Sequence, residues 1–143
     1  MIISGIQIAS ELRKEWPAIY LPWMTDRKFI APSFFDLQAA IKKHSVANLK
    51  IIDNISECED LADQLSARIH WERMELAQKG KLKKSELYSW AFGIVFGTRF
   101  EGWDDPHTCN ICYTEDGLFL IEPQHNRFWK PTNGDDQIII VKI

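Results

Sequence analysis

Apolar and polar residues alternate with two different periods along this chain. In the first part they recur every three to four positions. Phe34, Leu37, Ala40 and Ile41 fall on one helical face, and Ser33 with Asp36 forms a capping pair at its start. Ser56 and Glu59 mark the start of a longer helix running to about Gln78. Its imperfect apolar stripe is Leu61, Gln64 or Leu65, Ile69 and Met74, and Gly80 ends it. A short helix around Glu11–Trp16 takes Ser10 as its cap and stops at Pro17. Ile19 to Ile30 reads as irregular chain or short strands, and Asn48 to Ile52 as a short strand or extended approach. In the second part the period drops to two. Ala91 to Phe96 predicts a strand that turns near Gly97 and continues into Phe100. His107, Cys109, Ile111 and Tyr113 share one face of the next strand, and Leu118 to Ile121 return as a hairpin. Asn133–Gly134 makes a turn before a last buried strand, Ile138 to Val141. Helices first and antiparallel sheet second is an α+β organisation. It predicts one domain over 1–143, helical to about 88 and sheet from 89.

Composition narrows the function classes. A net charge of −3 gives no overall nucleic-acid footprint, and Lys79, Lys81, Lys83 and Lys84 read as a helix end and solvated loop. No apolar run is long enough to span a membrane, and the first residues lack a secretory pattern. Cys58, Cys109 and Cys112 are an odd number of thiols, which suits a reducing, cytoplasmic setting. Oligomeric state is not legible. The many aromatic residues are mostly core, with Trp103, Phe128 and Trp129 able to wall a groove.

Candidate chemistry gathers at the long helix and the hairpin. Cys58 falls in the first helical turn, where free N–H groups and the helix dipole favour a thiolate. Glu57, Glu59 and Asp60 oppose that, so an imidazolium has to compensate. His70 lies twelve residues along the same helix, about 18 Å away, and cannot reach. His107 can, if the sheet packs on the helix start. Glu122 follows four apolar residues and shares the His107 face in either of two registers. An Asp116–Gly117 loop sets Glu122 opposite Ile111; a longer loop sets it opposite His107. Asn110, the competing orienter, points to the other face of a regular strand. Cys58, His107 and Glu122 then form a nucleophile, a base and an orienting acid, with Asn54 a weak oxyanion donor. The triad asks for no cofactor. Its reactions are hydrolysis of a peptide or protein substrate, or acyl transfer to an amine. A competing reading is a structural zinc site from His107, Cys109 and Cys112, with Cys58 or His125 as fourth ligand. A third is a non-catalytic module that binds peptide or protein.

The pieces YLPWMTDRKFIAPS at 20–33, ECEDLAD at 57–63 and WDDPHTCNICYTEDGLFLIEPQ at 103–124 resemble the papain-like peptidase domain of a fungal mushroom agglutinin. Stand-alone bacterial and phage proteins show similar pieces. The resemblance implies a papain-like cysteine protease fold and the order Cys58, His107, Glu122. It also implies calcium, for which Glu59, Asp60, Asp63, Asp104 and Asp105 are hard-ligand candidates outside any EF-hand pattern. The agglutinin has Cys-Asp-Asp where this chain has Cys58-Glu59-Asp60, which leaves calcium dependence open. Its lectin part has no counterpart here, so no sugar binding is implied.

Overall fold

The computed structural model describes residues 1–53, 57–132 and 134–143. Strand β1 (Ile2–Ser4) leads into α1 (Gly5–Glu15), which starts earlier than the position of Ser10 suggests. The reason is a reciprocal cap. Ser4 Oγ accepts the Gln7 N–H at 3.2 Å, and Gln7 Oε1 accepts the Ser4 N–H at 3.0 Å. Ser10 is instead an exposed mid-helix residue. Strands β2 (Leu21–Trp23) and β3 (Lys28–Ile30) follow, then α2 (Phe34–His44), capped by Ser33 through the Asp36 N–H. Residues 48–52 form no named strand; Ile52 is a lone bridge residue, which fits the extended approach rather than a strand. Helix α3 (Cys58–Gln78) ends at Gly80, whose φ of 64° lets Gly80 and Lys81 close on Ala77 and Leu76. Leu61, Ala62, Leu65 and Ile69 are its buried stripe. Met74 falls off that stripe and is partly exposed.

The second part supplies β4 (Phe92–Arg99), β5 (His107–Thr114), β6 (Gly117–Glu122), β7 (Arg127–Trp129) and β8 (Gln137–Lys142). β4 runs through Gly97 with shifts in its pairing to β8, so the expected turn there is a bulge. The order in the main sheet is β2-β8-β4-β5-β6-β7. It is antiparallel except at one edge, where β2 pairs with β8 in parallel, so the sheet is mixed. The expected helical part over 1–88 thus carries three strands, one of which joins the main sheet.

The period of two sorts the sheet's residues onto two cores. Val95, Cys109, Ile111, Leu120 and Val141 pack with Ile8 and Leu12 of α1. Phe92, Cys112, Phe119 and Ile121 pack with Leu37 and Ile41 of α2 and with Leu61 and Leu65 of α3. Each fully buried Leu, Ile or Phe contributes about 1.5–3 kcal/mol of apolar burial. Among the described residues no helix is long and apolar enough to cross a membrane.

Candidate active site

Cys58 opens α3, and the Asp60 carboxylate accepts the Glu57 N–H at 2.9 Å just before it. Ser56 and Asn54, expected as cap and oxyanion donor, lie outside the described residues. The helix is tied to the sheet by Asn110. Its side-chain amide donates to the Ala62 carbonyl at 2.8 Å and to the Gly93 carbonyl at 3.1 Å. Asn110 therefore faces α3, on the opposite side of β5 from His107, and is not its orienter. With the strand held there, the Thr108 backbone lies close enough to the Cys58 sulfur to pull the thiol's pKa down. Thr108 is the residue after His107, so the helix start meets the strand start.

The thiol does not rest as a thiolate. It is pushed above its ordinary range, first by burial and also by Glu59, while the Thr108 backbone pulls the other way. Its Sγ donates to Glu59 Oε2 at 3.4 Å. Glu59 is held below the usual carboxylate range, first by its own backbone N–H, then by the thiol, with His107 adding a charge contribution. The helix dipole expected to activate Cys58 is thus outweighed by desolvation and by a carboxylate one residue away.

Between β5 and β6, His107 Nε2 and Glu122 Oε2 are 2.6 Å apart, both largely buried. Burial would raise the Glu122 carboxyl, but the His107 hydrogen bond and charge outweigh it and hold it below its ordinary value. Its other oxygen accepts the Gln124 N–H at 3.2 Å. The Phe100 ring stands edge-on to the imidazole at 5.7 Å. Neither expected register occurs. Thr114 pairs with Gly117 across a Glu115–Asp116 loop, because Thr114 Oγ1 bonds both the Asp116 N–H and the Gly117 carbonyl. Extending that register by one residue sets Glu122 level with Cys109, and it reaches His107 on the diagonal. A carboxylate on Nε2 fixes that nitrogen as the proton-bearing one and leaves Nδ1 bare. Nδ1 makes no hydrogen bond to any described residue.

The zinc constellation does not assemble. Cys109 and Cys112 are buried in separate cores on opposite faces of the sheet. Burial pushes both thiols up, away from the thiolate a metal needs. The calcium candidates fit no better. Asp60 caps α3, Asp104 pairs with Arg99 at 3.0 Å, and Asp63 lies on the flank of α3. Among the described residues no three acidic, His or Cys side chains are grouped to hold an ion. The expected groove aromatics are also dispersed: Trp103 is exposed, Phe128 packs on one core and Trp129 on the other.

Two features escaped the sequence. Asp136 is a buried carboxylate that accepts the Glu101 and Thr132 N–H groups, each at 2.9 Å, and so ties the chain before β8 to the residue after Phe100. The Asp-Asp pair after Gly134 was its only signal. A second His–carboxylate pair, His44 with Glu72, joins α2 to α3. Neither residue stood out from its helix face.

No family model matches the chain, and no curated protein matches it. Solved structures do. One, described as a PSL1a–E64 complex, superposes with a TM-score of 0.75 at 13% identity, over 99% of this chain and 51% of that one. Another is the Polyporus squamosus lectin bound to a human-type influenza-binding epitope, Neu5Acα2-6Galβ1-4GlcNAc. It gives 0.74 at 13% identity, over 99% of this chain and 49% of that one. The chain spans about half the length of these lectins. At such identity the likeness is one of fold, and the fold of this chain is the papain-like α+β fold, with helices packed on a mixed sheet, that resembles a domain of the fungal lectin PSL1a.

Proposed function

We propose that this chain is a thiol hydrolase acting on peptide or amide bonds through Cys58, His107 and Glu122. The observation that carries the reading is the His107–Glu122 pair, 2.6 Å apart between β5 and β6, beside the Thr108 backbone that influences the Cys58 thiol. Glu122 keeps the proton on Nε2, so Nδ1 is a free base on the remaining side of the ring. Cys58 gives its proton to Nδ1 as the sulfur attacks the carbonyl carbon. The imidazolium, stabilised by Glu122, protonates the departing amine and leaves an acyl-thioester. Water then loses a proton to Nδ1 and releases the acid. The Cys58 backbone N–H, at the helix start, is one donor for the oxyanion. Because the thiol rests protonated, the proton moves during attack rather than before it.

A second reading has its own support. A thiol bonded to Glu59 and raised in pKa suits a papain-like module that binds peptide or protein without cleaving it. The sugar named for the Polyporus lectin is not carried over, since half of that chain has no counterpart here. E64, named for PSL1a, is a reagent worth offering to this chain.

The test is a mixed peptide library incubated with the protein and read by mass spectrometry. New termini with the wild type, and none with a folded Cys58→Ala variant, are the expected result. Protection of Cys58 from iodoacetamide by E64 would accompany it. Peptides retained but uncut would establish the binding module instead. Products joined to an added amine would establish acyl transfer.

A further inference from the structure

A cleft lies away from Cys58, on the flank of α3. It measures about 550 Å³ and sits between α3, the 82–89 segment and the ends of β4 and β8. Its walls are mainly apolar, with Phe29, Met74, Leu82, Leu87 and Phe92 among them. That size falls within the range of about 300–1,000 Å³ usual for small-molecule sites.

The two cations along it are already committed, and its side-chain carboxylates are Glu86, which accepts the Lys83 N–H at 2.7 Å, and Asp63 on the exposed flank of α3. Arg73 donates to the Glu86 carbonyl at 2.7 Å and to the Tyr88 carbonyl at 3.3 Å, and lies over the Trp90 ring. Those bonds hold the outer wall in place. Lys142 lies over the Trp23 ring. The partly buried imidazole among the lining residues is His70. Its Nε2 is 3.0 Å from the Phe92 carbonyl, which only accepts, so Nε2 carries the proton and Nδ1 is an acceptor. Nδ1 bonds no described residue, yet it is not among the sealed polar atoms, which are Trp16 Nε1 and Asn110 Oδ1. His70 is mostly buried and lines the cleft, so the reachable part of its ring opens there. Burial also holds it below the usual histidine range and keeps it neutral.

The geometry points to a binding site for a small, neutral, aromatic or cyclic molecule that donates one N–H or O–H hydrogen bond to His70 Nδ1. The apolar walls take the body of the ligand, and the imidazole fixes its orientation. A cationic ligand would face Arg73 and Lys142 and lose its hydration against apolar walls; an anion would face Asp63 and Glu86 and find Arg73 already engaged. This site is independent of whether Cys58 is a nucleophile.

The test pairs indole with 1-methylindole, which share a body and differ by the N–H. Each is titrated into the ¹⁵N-labelled full chain and followed by amide shifts. Saturable shifts around Ser66, His70, Met74 and Leu87 are expected, with indole binding about fivefold to tenfold tighter, the worth of one hydrogen bond to a buried acceptor. In His70→Leu the preference for indole disappears. In Leu87→Arg, a change at an exposed rim position that spares the core, both ligands lose binding. Equal affinity for the two compounds in the wild type would overturn the proposal. So would shifts that never saturate, or that cluster on another face.

Discussion

Glu59 touches both halves of the proposed reaction. It accepts a hydrogen bond from the Cys58 thiol and interacts with His107. Its charge raises the thiol, so it opposes the first proton transfer. Glu59→Gln removes the charge. The pH profile of Cys58 alkylation by iodoacetamide then moves to lower pH, and labelling at neutral pH becomes faster; an unmoved profile would show that Glu59 does not govern the thiol. The presence of Cys58 at a helix start and of a His–Glu pair on the hairpin could be read from residue types and spacing. The direction in which Cys58 titrates could not. It depends on tertiary burial and on which way a neighbouring carboxylate turns, and the acidic run after Cys58 signals only that a conflict exists.

At the scale of elements, the relation of α3 to the sheet rests on Asn110. Its side chain crosses from β5 to a carbonyl of α3 and a carbonyl of β4, in full burial. Asn110→Ala should cost about 2–3 kcal/mol in urea unfolding, from two lost buried hydrogen bonds and the space left behind. A loss under 0.5 kcal/mol, roughly that of a surface change, would remove it as the clamp. Gly93 is the second constraint. A Cβ there would stand 1.9 Å from the Lys142 carbonyl, so Gly93→Ala must push β8 from β4. Overpacking of this kind costs about 1–3 kcal/mol, and a melting temperature equal to the wild type would contradict it. The hairpin shows why boundaries were legible only in part. Asp116–Gly117 is a sound turn signal, but the Thr114 hydroxyl draws the loop one residue earlier. Likewise Ser10 has the chemistry of a cap, and Ser4 wins because Gln7 answers it.

Across the whole molecule, the alternation of β5 and β6 feeds two cores, and each holds a buried thiol. Cys109 and Cys112 are both raised in the folded state, chiefly by burial. The unfolded chain ionises these thiols near pH 8.5, whereas the folded chain cannot. The stability they contribute is complete below that pH and is lost as pH rises above it, at up to about 1.4 kcal/mol per unit for each thiol. Urea midpoints should fall between pH 8 and pH 10, and fall less in Cys112→Ala; a flat profile would contradict the burial account. The α+β class followed from the change of period along the chain. Short strands are one of the two readings of Ile19 to Ile30, but the parallel pairing of β2 at the sheet edge does not follow, because three residues containing a proline carry no pairing signal. The cleft beside His70 was illegible for a different reason: Arg73 builds its wall by bonding backbone carbonyls, which no side-chain pattern reveals.

The most direct measurement is the rate of Cys58 alkylation at neutral pH in the wild type, in His107→Ala and in Glu122→Gln, each confirmed to be folded. A thiol that rests protonated needs the imidazole to take its proton as it reacts, so the rate should fall at least about tenfold without His107 and by a smaller factor without the Glu122 charge. Equal rates in all three proteins would mean that sulfur, ring and carboxylate do not act together, and the hydrolase reading would fail.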